Sequence, residues 1–183
     1  MILRENIPSI SALKDVLLVL RAKKGDREAF GKLYLSYLDQ IYRYIFFRVD
    51  QERHVAEDIA QDVFLKAWEK LTNFKFKNGT FKAWLYKIAR NKTIDFLREK
   101  RKRVNLNPEI ADNSNNPENY AITKDEYRRV ILAIGKLPSL QREVITMTYI
   151  NDVSAKDVAG ILKKSEEAIR ALKHRALKKL KNH

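Results

Sequence analysis

The chain has 183 residues, enough for one medium domain or two small ones, and its 37 Lys+Arg against 23 Asp+Glu leave a formal net charge of +14. Such an excess points to a polyanionic partner, nucleic acid or an anionic membrane surface. The absence of cysteine excludes disulfides, thiolate zinc sites and cysteine nucleophiles.

With only 5 Gly, 4 Pro and 45% hydrophobic residues, the sequence reads as nearly all helix. Residues 1–10 suggest no role. Ser11 to Lys24 has helical spacing at Leu13, Val16, Leu17 and Leu20 and ends at Gly25, a C′ residue. Lys14 and Asp15 interrupt that apolar run, so it does not read as a signal peptide, and no run approaches the ~18 apolar residues that would span a bilayer. Asp26 then starts a second helix whose predicted stripe is Phe30, Leu33, Tyr34, Tyr37, Ile41, Tyr44 and Ile45, a pattern of core packing.

A third helix is predicted over His54–Leu71, with Ala56, Ile59, Ala60, Val63, Phe64, Ala67 and Leu71 facing inward. Its outward face carries Asp58, Gln61, Asp62 and Glu69 around Leu65. On a strongly basic chain this is a local reversal of sign. It reads either as a docking face for a basic protein or as a solvated helix face. Catalysis or metal binding by these carboxylates is set aside, because no histidine converges on them. The connection TNFKFKNGT alternates Phe74 and Phe76 with Lys75 and Lys77. Such interleaving can stack unpaired bases, or the two rings can plug the gap between helices; both readings stand.

The stretch TFKAWLYKIARNKTIDFLREKRKR, Thr80 to Arg103, organises the rest. Thr80 is placed to cap the helix. On a wheel, Phe81, Trp84, Leu85, Ile88, Ala89 and Phe96 share one side, while Lys87, Arg90, Asn91 and Arg98 fall roughly opposite. Cations and an Asn on one face suit phosphates and base edges, although a solvated basic face has the same pattern. Val104 to Thr123 then contains no Lys or Arg, keeps no hydrophobic period and reads as a linker.

Residues 124–183 form a second helical module. A helix through Ile134 leads to Leu137-Pro138, and Ser139 is placed to cap the next helix. Ser154 with Asp157 predicts a capped short helix ending near Leu162. Ser165 then caps a longer helix reaching Leu180, which with its tail carries Arg170, Lys173, Arg175, Lys178, Lys179 and Lys181. A short helix, a tight turn and a longer basic helix describe a helix-turn-helix.

Taken together, these segments closely resemble the extracytoplasmic-function sigma factors of bacterial RNA polymerase, a group of the sigma-70 family. AKKGDREAFGKLY (Ala22–Tyr34), AEDIAQDVFLKAW (Ala56–Trp68) and FKAWLYKIARNKTIDFLR (Phe81–Arg98) are similar to that family's region 2 in order and spacing. LPSLQREV (Leu137–Val144) and the DVAGIL…S…AIR…HRALKKL series are similar to its region 4. The resemblance implies an all-α chain of two small helical domains: region 2 over 11–103, a linker over 104–123, and a region 4 helix-turn-helix over 124–183.

It also implies roles. Asp58, Gln61, Asp62 and Leu65 would dock on a coiled coil of the polymerase's largest catalytic subunit, with neighbouring subunits close by. Asn73, Phe74, Lys75, Phe76 and Lys77 would capture a flipped base, while Lys87, Arg90, Asn91 and Arg98 would read and melt the −10 element. Ser165, Ala168, Arg170, Lys173, His174 and Arg175 would contact the −35 element. Core polymerase and promoter DNA are the implied partners, an anti-sigma factor is left open, and membrane insertion is not expected. The chain would be a cytoplasmic non-enzyme without cofactor or metal.

Three departures qualify the resemblance. Lys163 stands where the family usually has Gly, at a turn position favouring positive φ. Leu172 and Lys173 invert the usual order, and Glu166 and Glu167 place negative charge at the recognition helix start. Lys92 falls within the apolar side of its helix, where it would snorkel outward or touch a partner. Two rival functions share parts of this pattern: a dimeric helix-turn-helix regulator acting without polymerase, and a basic helical protein of membranes or scaffolds.

Overall fold

The computed structural model describes residues 10–106 and 125–181, and among them every regular element is helical. The first unit comprises α1 (Ile10–Ala22), α2 (Arg27–Arg48), α3 (Arg53–Lys70) and α4 (Phe81–Leu106), with two single 3-10 turns at Leu71–Asn73 and Phe76–Asn78 before α4. The second comprises α5 (Asp125–Gly135), α6 (Ser139–Ile145), a π turn at Thr146–Ile150, α7 (Ala155–Leu162) and α8 (Glu166–Lys181). Most of the predicted linker, and residues 1–9 and 182–183, lie outside the described residues; α4 itself continues through Val104, Asn105 and Leu106.

The helix boundaries follow side-chain chemistry. Gly25 adopts φ +92°, and Asp26 then caps α2 by accepting from the Ala29 amide at 3.0 Å. Thr80 caps α4, its Oγ1 accepting from the Ala83 amide at 3.1 Å. Ser154 caps α7 through the Asp157 amide at 3.0 Å, and Ser165 accepts from the Ala168 amide at 3.2 Å. Ser139 departs from expectation. It is the first residue of α6, Pro138 holds the cap position, and the Ser139 hydroxyl accepts instead from Arg48 at 3.3 Å.

Aromatic contacts tie the helices of the first unit together around a core that is otherwise aliphatic. Phe30 meets Trp68 with centroids 4.9 Å apart, Tyr34 meets Phe64 at 4.7 Å, and Tyr37 meets Phe81 at 5.6 Å, joining α2 to α3 and α4. All the predicted inward residues of α3 are buried. On α1 the expected stripe is not the packed one. Leu18, Val19 and Ala22 are buried, whereas Leu13, Leu17 and Leu20 are 49%, 65% and 48% exposed. The run Val16-Leu17-Leu18-Val19-Leu20 puts apolar side chains all round the helix, so periodicity could not select the face. Asp15 accepts from the Tyr37 hydroxyl and fixes the rotation of α1 on α2.

α7 and α8 form the predicted helical pair. Val158, Ile161, Leu162, Ile169, Leu172 and Ala176 are all buried. Lys163 terminates α7 in the left-handed region at φ 53°, ψ 49°, which glycine would occupy without steric cost. The second unit packs against the first along α2 and α4.

Candidate docking and nucleic-acid interfaces

α3 and α4 lie side by side and leave an open groove of about 480 Å³ lined by Val55, Asp58, Ile59, Asp62, Lys92, Asp95, Phe96 and Glu99. The predicted Asp58 and Asp62 stand on one wall. Asp95 and Glu99, which sequence reasoning missed, come from the other. Their i, i+4 spacing on α4 could have indicated a second acidic edge. Lys92 is the groove's cation. Its Nζ sits 2.8 Å from Asp62 Oδ2, so it snorkels across to α3 rather than entering the apolar core. Leu65 is 60% exposed one turn beyond Gln61, which is also exposed. The result is an acidic groove with an apolar floor and an exposed leucine close by. Glu69 lies farther along and pairs with Lys66 at 2.7 Å.

The loop before α4 resolves the two readings of its phenylalanines differently. Phe74 is buried, with ring centroids 4.9 Å from Phe76, 5.1 Å from Trp84 and 6.0 Å from Phe81. Its ring faces are taken by the core, so in this structure Phe74 is a plug and not a stacking platform. Phe76 is half-buried against it, while Asn73, Lys75 and Lys77 are exposed. The Lys23 ammonium donates to the Phe74 carbonyl at 2.8 Å and ties the loop to the end of α1.

On α4, Asn91 and Arg98 are exposed and Lys87 is half-buried. Arg90 is not free as the wheel suggested: its Nε lies 3.2 Å from Glu143 Oε1, a carboxylate of the second unit. A wheel reports one helix alone, and this face of α4 is partly covered by α7 and by the residues around α6. The buried side of α4 also includes Tyr86 and Thr93, the latter returning its hydroxyl to the Ala89 carbonyl at 2.8 Å.

The recognition-helix residues share the outer side of α8. Arg170, His174 and Arg175 are exposed, and the Lys173 ammonium lies 5.2 Å from the centroid of the Tyr149 ring. Glu166 and Glu167 each approach Arg170 within 3.8 Å, so the acidic start partly screens that cation. Ser165 and Ala168 stand at the first turn.

Comparison with known proteins decides the family. Residues 33–103 match Sigma-70 region 2, and residues 127–180 match Sigma-70, region 4. The chain is 31% identical over 175 residues to the ECF RNA polymerase sigma factor SigW of Bacillus subtilis, covering 89% of this chain and 92% of SigW. This chain belongs to the extracytoplasmic-function sigma factors of the sigma-70 family.

This sigma factor is also 33% identical over 167 residues to BldN of Streptomyces coelicolor, where the match spans 89% of this chain and 63% of BldN's length. Among solved structures, CnrH in complex with the cytosolic domain of CnrY superposes with a TM-score of 0.70 at 28% identity, covering 92% of this chain and 96% of that one. RpoE from Bartonella quintana, in complex with the anti-sigma factor NepR, gives 0.72 at 25% identity, covering 84% and 94%. Membership sets aside the regulator that acts without polymerase. Sigma factors are not enzymes, and among the described residues no helix is long and apolar enough to cross a membrane.

Proposed function

We propose that this sigma factor binds core RNA polymerase through the α3 groove, then recognises and opens promoters through α4, the loop before it, and α8. It directs promoter-specific initiation, with −10 and −35 elements read by different units of one chain. Residues 11–103 serve as region 2, 104–123 as the linker (its first residues continuing α4) and 124–183 as region 4. The covalent chemistry belongs to the polymerase, so the factor works in the cytoplasm, where that polymerase acts.

The acidic groove carries this reading. A chain of net charge +14 concentrates Asp58, Asp62, Asp95 and Glu99 around an apolar floor. Promoter DNA would be repelled from that groove; a basic, partly apolar protein surface would be drawn to it. Asp58, Gln61, Asp62 and Leu65 are therefore assigned to the coiled coil of the largest catalytic subunit.

Promoter DNA is assigned to the opposite chemistry. Asn73, Lys75, Phe76 and Lys77 hold an unpaired base and its backbone, with Phe74 fixing the loop from beneath. Lys87, Arg90, Asn91 and Arg98 engage the −10 strand. Flipping a base costs a few kcal/mol, which these contacts must offset. Ser165, Ala168, Arg170, Lys173, His174 and Arg175 enter the −35 major groove. An anti-sigma partner also belongs to this proposal, because the similar RpoE was solved with NepR.

In vitro transcription tests the whole reading. Purified bacterial core polymerase is supplied with promoter-containing fragments of the source genome, with and without this factor. Discrete transcripts that require the factor and share an upstream motif are expected. Failure to bind core, together with tight binding to duplex DNA, would overturn the proposal.

A further inference from the structure

α1 has two apolar faces, and only one of them is packed. Among the described residues eight large apolar side chains are exposed, and three of them, Leu13, Leu17 and Leu20, stand on this one helix of 13 residues. Apolar residues exposed singly are ordinary on a protein surface, whereas three sharing a face mark an interaction surface. On a wheel of 100° per residue they fall within about 60° of one another, opposite the buried Leu18, Val19 and Ala22. The buried face seats α1 on α2; the other meets solvent.

The rest of the first unit holds α1 in this orientation. The Asp15 carboxylate accepts from the Tyr37 hydroxyl of α2, and the Lys23 ammonium donates to the Phe74 carbonyl. Turning the helix to hide Leu17 would bring Leu18 and Val19, 7% and 0% exposed, out into water. The outer stripe is therefore fixed by the core and is not a product of loose packing.

Spacing gives the stripe its shape. In the sequence Ile10, Leu13, Leu17 and Leu20 recur at intervals of 3, 4 and 3 residues, the a, d, a, d order of a coiled-coil seam. Such a seam is narrower than the apolar side of a helix that lies in a membrane interface, and it fits one partner helix. In that register Lys14 and Arg21 occupy e positions, Lys23 a g position, and Lys24 ends the seam. Arg21 also pairs with Asp26 at 2.7 Å, while Lys14 is exposed beside the leucines. The one carboxylate of α1, Asp15, is turned towards α2.

Charge then selects the occupant. In an antiparallel pair of this chain Lys14 would face Arg21 of the other copy, and in a parallel pair no carboxylate would meet either cation. A second copy is disfavoured, and a helix that carries Glu or Asp beside its own apolar seam is favoured.

We propose that the outer face of α1 docks an acidic amphipathic helix of a partner protein, with Leu13, Leu17 and Leu20 as the apolar contacts and Lys14 and Arg21 selecting for carboxylates. α1 offers fewer than two heptads, but it is already folded and seated, so it loses little entropy on docking. This inference goes beyond the function proposed above, because none of these residues belongs to the α3 groove or to the cations assigned to DNA.

The probe is a fluorescein-labelled synthetic helix of about three heptads, with Leu at a and d and Glu at e and g, whose like charges keep it from pairing with itself. A counterpart has Lys in place of Glu. Each is titrated with the full chain and followed by anisotropy. The Glu helix should bind, and the Lys helix should bind at least about tenfold more weakly. Leu17→Asp and Leu13→Asp should each lower affinity for the Glu helix at least about tenfold. Leu35→Asp removes a 74% exposed leucine of α2 with the same change in charge and should bind like wild type. Lys14→Glu should weaken the Glu helix about fivefold and strengthen the Lys helix. That variant alters no apolar contact, so it carries the test should circular dichroism show either α1 leucine variant unfolded. Equal affinity for the two helices, a loss as large in Leu35→Asp, or binding unmoved by Leu17→Asp would overturn the proposal. So would a dimer in sedimentation, or flotation with phosphatidylglycerol vesicles, that Leu17→Asp abolishes, since the stripe would then serve a second copy or a membrane.

Discussion

Reversing the charge of the α3 wall, with Asp58→Arg and Asp62→Arg together, tests the docking assignment most directly. Both side chains are exposed, and the partner lost within the molecule is Lys92, whose pair with Asp62 spans 2.8 Å with side chains 35% and 58% exposed. Exposed pairs of this kind contribute about 0–1 kcal/mol, so the double variant should melt close to wild type. Binding should respond far more. Each position loses an attraction and gains a repulsion across the interface, together about 2–4 kcal/mol for both sites, or roughly 30- to 1000-fold in Kd. The assay is a titration of labelled factor with core polymerase, followed by anisotropy at two salt concentrations. The loss should shrink as salt rises, because rim charges are screened. Glu28→Arg with Asp39→Arg, both exposed on α2, supplies the same change in net charge as a control. A folded Asp58→Arg/Asp62→Arg variant that binds core like wild type, or a control pair that loses as much, would refute the reasoning.

The other predictions concern local physics. Lys163→Gly should raise the melting temperature, because φ 53° costs a lysine about 1–2 kcal/mol and the larger freedom of unfolded glycine returns only part of that; a lower melting point would mean that the lysine side chain makes a contact worth more. Asp15 has its carboxyl pushed up from 3.8, first by burial and against the hydrogen bond from Tyr37. A raised folded value means that its contribution to stability is fully present in acid, below that ordinary value, and is lost as pH rises through the raised one. Asp15→Asn should therefore be more stable than wild type at neutral pH, with the gap closing as pH falls towards 3.8, measured by thermal melts across pH. Asn91→Ala should reduce permanganate-detected promoter opening about 5- to 100-fold, the range for a lost base contact, while leaving core affinity intact; equal loss in both assays would remove Asn91 from base reading.

Several features are legible in the order of residues alone. The inward stripe of α3, the caps at Asp26, Thr80, Ser154 and Ser165, and the α7–α8 hairpin all follow from interactions within about one turn of the chain. Short-range rules therefore suffice for them. The left-handed Lys163 is not among them: the family resemblance marked its position, and the fold kept the left-handed backbone there at φ 53°. The acidic face of α3 is legible too, because it needs only one helix and its sign.

What lay beyond that range depended on which surfaces meet. α1 offers apolar residues on every side, and only its seat on α2 chose Leu18 and Val19 over Leu13 and Leu17. Phe74 could have stacked on a base or filled the core; the positions of Phe81 and Trp84 made it core. Lys92 received its partner from α3, and Asp95 and Glu99 became part of a groove only when α4 lay beside that helix. Sequence by itself determined most of the helices, several of their caps and the family, since local backbone chemistry and residue order carry that information. Tertiary structure alone decided that Glu143 would be enclosed by Tyr44, Arg48 and Arg90, residues 99, 95 and 53 positions away along the chain, because pairing at such separation is set by the packing of whole helices.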